Sequence, residues 1–262
     1  EITTRLVGSE MCIRDSAIRT KDFDWNISLN LAHNENEVTR LSNDVFTMDK
    51  ILLGDVFIRG GSSSGTHVLE EGRPIGQFYG LVCNGIDENG RYIMVDKDGD
   101  GEISDPADYD YIGSAQPKLT YGITNTFRYK NFDLSFFLRG TIGNDILNAT
   151  RMAYAQSGFL PGTNALDDPL TYTLSETPRF SNYYLEKGSF MRLDNLTLGY
   201  KIKALNGIRV YFTAQNLFVI TKYKGLDPEV PMDSGDGLTP GVEPREFYPK
   251  ARTFSVGLNL NF

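Results

Sequence analysis

ARTFSVGLNLNF, residues 251–262, alternates without a break. Phe254, Val256, Leu258, Leu260 and Phe262 fall on one face of an extended strand, and Thr253, Ser255, Gly257, Asn259 and Asn261 on the other. One face is apolar and the opposite face is small and polar. Termini of soluble folds fray into water and gain nothing from a buried ring, so an alternating strand that finishes on an aromatic is unusual there. A transmembrane β-barrel strand has this pattern, with lipid on the apolar face and a wet lumen on the other. An edge strand of a soluble sandwich is the competing reading of this stretch alone.

Working outward, the same pattern recurs. In residues 23–32, Phe23, Trp25, Ile27, Leu29 and Leu31 oppose Asp24, Asn26, Ser28, Asn30 and Ala32. Leu119, Tyr121, Ile123, Phe127 and Tyr129 form a third apolar stripe, and Lys130 and Asn131 then read as a two-residue turn into Phe132, Leu134, Phe136 and Leu138. Pairing Tyr129 with Phe132, Phe127 with Leu134 and Ile123 with Leu138 keeps all of these on one side, the register that a two-residue hairpin imposes. A further unit runs from Leu196, Leu198, Tyr200 and Ile202 through the short connection 203–207 into Ile208, Val210, Phe212 and Ala214. Its other face, with Thr197, Lys201, Arg209, Tyr211, Thr213 and Gln215, is polar and partly basic. Connections alternate short and long: 130–131, then 142–188, then 203–207, then 221–250. Short periplasmic turns and long external loops give an outer-membrane barrel this rhythm. Residues 33–118 show only weak strand signals, at 50–59 and 75–83, separated by GGSSSG. Orientation requires that they contribute zero or two crossings.

Composition sets the class boundaries. The chain has 262 residues, 40% of them hydrophobic and 12% aromatic, with a formal charge of -8 and a mean hydropathy of -0.31. No run approaches the roughly 18 apolar residues of a membrane helix, whereas alternating strands dilute each apolar residue with a polar one. The acidic balance argues against a nucleic-acid surface, which needs clustered Lys and Arg. Two cysteines, Cys12 and Cys83, build no disulfide or metal framework. The sequence opens without a signal peptide although a barrel needs export, so a fragment or processed product is expected. Residues 1–16, EITTRLVGSEMCIRDS, have neither strand alternation nor a helical face. LVGSEMCIRDS resembles a translated sequencing-adapter read-through, so a non-native or disordered leader is expected there, with the native domain over 17–262.

Among the loops the sharpest motif is VDKDGDGEISDPAD, residues 95–108. Asp96, Asp98 and Asp100 at alternate positions before Gly101 supply the first half of a calcium cage, and Glu102 adds a carboxylate. The bidentate Glu of the usual twelfth position is replaced by Ala107, leaving Asp105 or Asp108 to close the sphere. A weak calcium loop and a solvated acidic turn both fit. Gly61 to Gly65 formally matches G-x-S-x-G around Ser63, but no helix follows and the composition is that of a flexible linker. His33 and His67 share no ligand spacing. Nothing argues for catalysis. Tyr154, Phe159, Tyr172, Tyr183, Tyr184, Tyr223, Phe247 and Tyr248 are loop rings that suit either self-packing or stacking on a sugar or partner.

Several stretches together resemble the C-terminal barrel region of SusC/RagA-type TonB-dependent outer-membrane receptors: DWNISLNLAHNENEV, GRPIGQFYGLVCNGI, the run from VDKDGDGEISDPAD to GTIGNDILN, SFMRLDNLTLGY, IRVYFTAQNLFVITKYKGLDPEV and YPKARTFSVGLNLNF. They span most of residues 20–262. The resemblance implies an all-β fold, the C-terminal strands of a 22-stranded antiparallel transmembrane β-barrel with long extracellular loops. It further implies an N-terminal plug and a segment that engages TonB, ExbB and ExbD, outside this stretch. It implies location in the outer membrane of a Gram-negative bacterium, in contact with its lipid. Import of oligosaccharides or peptides would proceed with a SusD-like surface lipoprotein as lid. Phe254, Val256, Leu258, Leu260 and Phe262 would be the signal read by the barrel-assembly machinery. The family's Asp-rich loop matches residues 96–108, with Ala107 as the departure. The alternative from another class is a secreted all-β carbohydrate-binding module with a calcium loop.

Overall fold

The computed structural model describes residues 3–42, 47–58, 61–158, 160–202, 208–230, 237–244 and 248–260. In chain order its elements are β1 (Thr3–Arg19), β2 (Phe23–Arg40), β3 (Lys50–Ile58), β4 (Gly61–Glu70), β5 (Gln77–Leu81), β6 (Cys83–Ile86), β7 (Tyr92–Met94), β8 (Tyr109–Ser114), β9 (Leu119–Tyr129), β10 (Phe132–Ile142) and β11 (Asp145–Leu147). Helices α1 (Ala149–Tyr154) and α2 (Pro169–Thr173) follow, then β12 (Leu185–Lys187), β13 (Phe190–Ile202), β14 (Ile208–Thr221) and β15 (Thr253–Asn259).

Strand alternation becomes a wall. Seven strands pair antiparallel in the order β1-β2-β9-β10-β13-β14-β15. The hairpin register is the one the stripes require: Tyr129 faces Phe132, Phe127 faces Leu134 and Ile123 faces Leu138. Lys130 takes the positive φ of 51° that so tight a turn needs. One row crosses six strands as Trp25, Phe127, Leu134, Leu198, Phe212 and Val256, all apolar. The adjoining row on the other face reads Asn26, Thr126, Ser135, Thr197, Thr213 and Ser255, all amide or hydroxyl. Rings consolidate the apolar face, with Trp25 stacked on Phe127 at 5.5 Å and Phe212 on Phe254 at 6.1 Å. That face stays uncovered: Leu198 is 45% exposed, Phe212 38% and Val256 75%. A soluble sandwich would have laid a second sheet over it.

The protein's buried core lies elsewhere. β9 begins, and β10 ends, at the end of the wall where the three long connections leave, and those connections pack on one another. Val56, Ile58 and Phe78 from the first meet Leu147, Met152, Leu170, Phe180 and Tyr184 from the second. Tyr223 and Val230 of the third close on Ile146. Burying each of the larger side chains contributes roughly 1.5–3 kcal/mol. The four-stranded sheet β3-β4-β5-β8 frames this body, and Gly80 of β5 makes room for Phe180, whose Cε1 would lie 2.5 Å from a Cβ. β2 pairs directly with β9, so, among the described residues, 41–118 contribute no strand to the wall between them. The parity requirement is met with zero crossings.

Two expectations are corrected. The stretch 3–19 is strand β1, paired with β2 along its length, where the sequence led to no strand. Its described side chains are all exposed. The edge of β2 offers a row of unpaired backbone N–H and C=O groups, and pairing through the main chain needs no side-chain alternation. The GSSSG segment is not a linker but the start of β4, hydrogen-bonded to β3 with Ser63 opposite Val56. Gly54 and Gly65, both at positive φ, allow the register shift between these strands. The connection 203–207, Phe159, Phe247 and the terminal Asn261 and Phe262 lie outside the described residues.

Candidate functional site

The acid loop closes differently from its linear pattern. Asp96, Asp98 and Asp108 each bring a carboxylate oxygen within 4.8 Å of the others. Asp96 accepts the backbone N–H of Gly99 at 2.6 Å and of Gly101 at 2.9 Å, the turn that glycine at positive φ permits. Asp108, buried, accepts N–H groups of Lys97 and Ser104 at 2.6 and 2.8 Å. The Ser104 and Lys97 bonds, in that order, hold its pKa below the usual carboxylate range by stabilising the charged form. Asp105 instead pairs with Arg179 at 2.7 Å. Asp100 accepts the Glu102 N–H, and neither Asp100 nor Glu102 joins the three-carboxylate group. Of the two candidates to close the loop, Asp108 lies within the three-carboxylate group and Asp105 does not.

Ser63 has no following helix, because β4 runs on through His67 to Glu70. His67 is buried, bonded to Thr66 and to the Pro240 carbonyl. His33 meets the Lys118 carbonyl and Glu35. The described loop rings differ in burial, with Tyr154 and Tyr183 half-buried between two extremes. Tyr184 and Tyr223 are core, the latter donating to buried Glu243 at 2.7 Å. Burial raises the Glu243 pKa above the ordinary glutamate range despite that bond. Tyr172 and Tyr248 are 75% and 83% exposed and point to solvent.

A second constellation escaped sequence reasoning. Where the wall meets the body, Arg139 of β10 and Arg192 of β13 stand opposite each other on the polar face. Strict alternation would put Arg192 on the apolar face with Leu196 and Leu198. Asp194, unpaired against β10 between Leu193 and Asn195, is a bulge residue that inverts the phase and turns Arg192 inward. The described part of the third connection, 222–230, 237–244 and 248–252, then straps across this face. Its Glu229 receives Arg139 through two bonds, 2.6 and 3.0 Å. Asp227 pairs with Arg192 at 2.5 Å, both nearly inaccessible at 4% and 3% exposure. Lys250 reaches Glu229 at 2.7 Å and Asp194 reaches Arg139 at 2.9 Å. Burial alone would raise Glu229, but its bonds from Arg139 and Lys250 outweigh that and keep it below the ordinary glutamate range. The available signal was GLDPEV, two acids two residues apart in a loop, together with two arginines near strand ends. Nothing local says that they meet.

No family model matches the chain. The TonB-dependent receptor SusC of Bacteroides thetaiotaomicron is 36% identical over 274 aligned positions, covering 97% of this chain and 26% of that protein. TonB-dependent receptor P3 of Formosa agariphila is 32% identical over 301, covering 97% and 28%. Among solved structures, the RagAB peptide transporter superposes with a TM-score of 0.76 at 24% identity over 98% of this chain and 29% of that one. The RagAB peptide importer in its 'closed-closed' state gives 0.75 at 24%, over 97% and 29%. The chain thus spans between a quarter and a third of the length of these relatives. At such identity the superposition speaks for the fold, an antiparallel wall of the RagA β-barrel kind, and the sequence matches carry the kinship. With a lipid-type face, a polar face and an end body that agree with both, the chain belongs to the SusC/RagA-type TonB-dependent receptors, as a segment of one.

Proposed function

We propose that the whole protein is an outer-membrane transporter that imports large nutrients, oligosaccharides or peptides, without catalysis of its own. This chain supplies seven wall strands and the external loop body. The observation that carries the reading is the wall itself: an apolar row across six strands, uncovered, backed by a hydroxyl and amide row. The first suits lipid and the second a wet lumen. On this reading a SusD-like lipoprotein covers the loop body, where exposed Tyr172 and Tyr248 offer stacking surfaces. TonB with ExbB and ExbD drives uptake through the plug end, and residues 254–262 guide assembly by the insertion machinery. The test is uptake of labelled oligosaccharides and oligopeptides by cells expressing the full-length receptor. Accumulation that disappears in a TonB-deficient host supports the reading; accumulation indifferent to receptor and TonB, or a receptor absent from outer-membrane fractions, sinks it.

Calcium belongs in the same proposal. Three carboxylates bring an oxygen each within 4.8 Å of one another, and a hard divalent cation takes the oxygen donors it prefers from such a group. Asp96, Asp98 and Asp108 would hold it. With a dissociation constant on the order of 10⁻⁴ M, 1 mM calcium would stabilise the body by about 1.4 kcal/mol. Thermal unfolding of the full-length receptor in calcium against chelator should show that upward shift, and Asp96→Asn should erase it. Equal midpoints for the unmodified receptor would leave a solvated acidic turn.

A further inference from the structure

Where the strap crosses the wall, three cations face three carboxylates: Arg139, Arg192 and Lys250 against Asp194, Asp227 and Glu229. They are not equally fixed. Arg192 and Asp227 form a closed, desolvated pair, and Asp194 belongs to the wall itself. Glu229 sits on the strap with its side chain 26% exposed, beside an open recess of about 330 Å³ lined by Arg139, Asp194, Asn195, Gln215, Asn216 and Lys250. The glutamate also fits its seat imperfectly. Its two oxygens satisfy the Arg139 fork and Lys250, yet Nε of Arg192, buried and 3.3 Å from Oε2, makes no hydrogen bond. If Glu229 swings away, three cations face two carboxylates. A planar guanidinium fork then opens onto a recess furnished with amides, the geometry that takes a carboxylate through two parallel bonds.

We propose that this recess is a carboxylate-binding subsite at the mouth of the wall, in which Glu229 holds the place of a solute's carboxylate. An incoming acidic oligomer, bearing a uronate or a peptide C-terminus, displaces Glu229 from Arg139 and restores the charge balance. In doing so it loosens the strap at its outer attachment while Asp227 keeps the inner one. The inference rests on the transport reading and names a substrate class for it.

Titration calorimetry on the full-length receptor tests it with two matched probe pairs. One is N-acetyl-pentaalanine as free acid and as C-terminal amide; the other is tetragalacturonate and its methyl ester. The acid member of at least one pair should bind more tightly. Glu229→Gln, nearly isosteric but uncharged, should raise affinity for that acid roughly tenfold and leave its neutral twin unchanged, because the competing anion is gone. Arg139→Gln should remove the preference while the neutral probe still binds. An acid-to-neutral ratio that Glu229→Gln does not move overturns the subsite and leaves transport standing. Failure of every probe to bind the receptor overturns the carboxylate subsite, and the transport reading then stands or falls on the uptake assay alone.

Discussion

A full-length receptor carrying Leu198→Arg is expected to lose the compact, heat-modifiable form of an assembled barrel, whereas Thr197→Arg next to it keeps that form. The two residues are neighbours in sequence and opposites in environment. Leu198 stands in the middle of the apolar row, between Leu134 and Phe212. Thr197 stands in the hydroxyl row between Ser135 and Thr213. An arginine on the lipid face near mid-depth costs roughly 2–4 kcal/mol, and on the lumen face it reaches water. Gel migration with and without boiling, on outer-membrane fractions, reads the outcome. If both variants assemble, or both fail alike, the assignment of faces is wrong and the wall needs another account.

That contrast also explains how much was legible beforehand. The Tyr129–Phe132 hairpin was readable because a period of two and a two-residue turn are local rules, and register follows from them without knowledge of the rest. The same holds for residues 253–259, whose stripe continues the row of β14. The loop body was not readable. Its core joins Val56, Phe78, Met152 and Phe180, residues up to about 120 positions apart on segments with no shared period, and such contacts have no signature in a single window. The acid loop lay between these cases. Asp96 and Asp98 declare themselves by spacing, but that Asp108 and not Asp105 stands beside them could not be read, since Arg179, more than 70 residues away, holds Asp105. β1 failed for another reason. A strand added at an open edge is held by main-chain pairing, and its side chains carry no trace of it.

The strap supplies the second large effect. Arg192→Ala is expected to free the 222–252 connection from the wall, because removing one partner of a desolvated pair leaves the other charge buried and uncompensated, at a cost of roughly 3–5 kcal/mol. Asp227 would be that charge. It also accepts the Glu229 N–H at 2.9 Å, so its departure would carry Glu229 out of Arg139's fork as well. The expected readout is proteolysis of intact cells: cleavage within 222–252 becomes fast in Arg192→Ala while the barrel still migrates as folded, since the apolar row is untouched. Arg192→Lys should rescue poorly, because a compact, strongly hydrated ammonium suits a buried pair with Asp227 less well than a weakly hydrated guanidinium. The combination Arg192→Met with Asp227→Leu should recover much of the protection, as apolar replacement of a buried pair is often neutral or stabilising. A strap as protected in Arg192→Ala as in the unaltered receptor would mean that its hold lies in Tyr223, Val230 and Ile146 and not in the charges. Protection restored by Arg192→Lys would mean that net charge, and not the guanidinium's weak hydration, is what the bulge at Asp194 was placed to present.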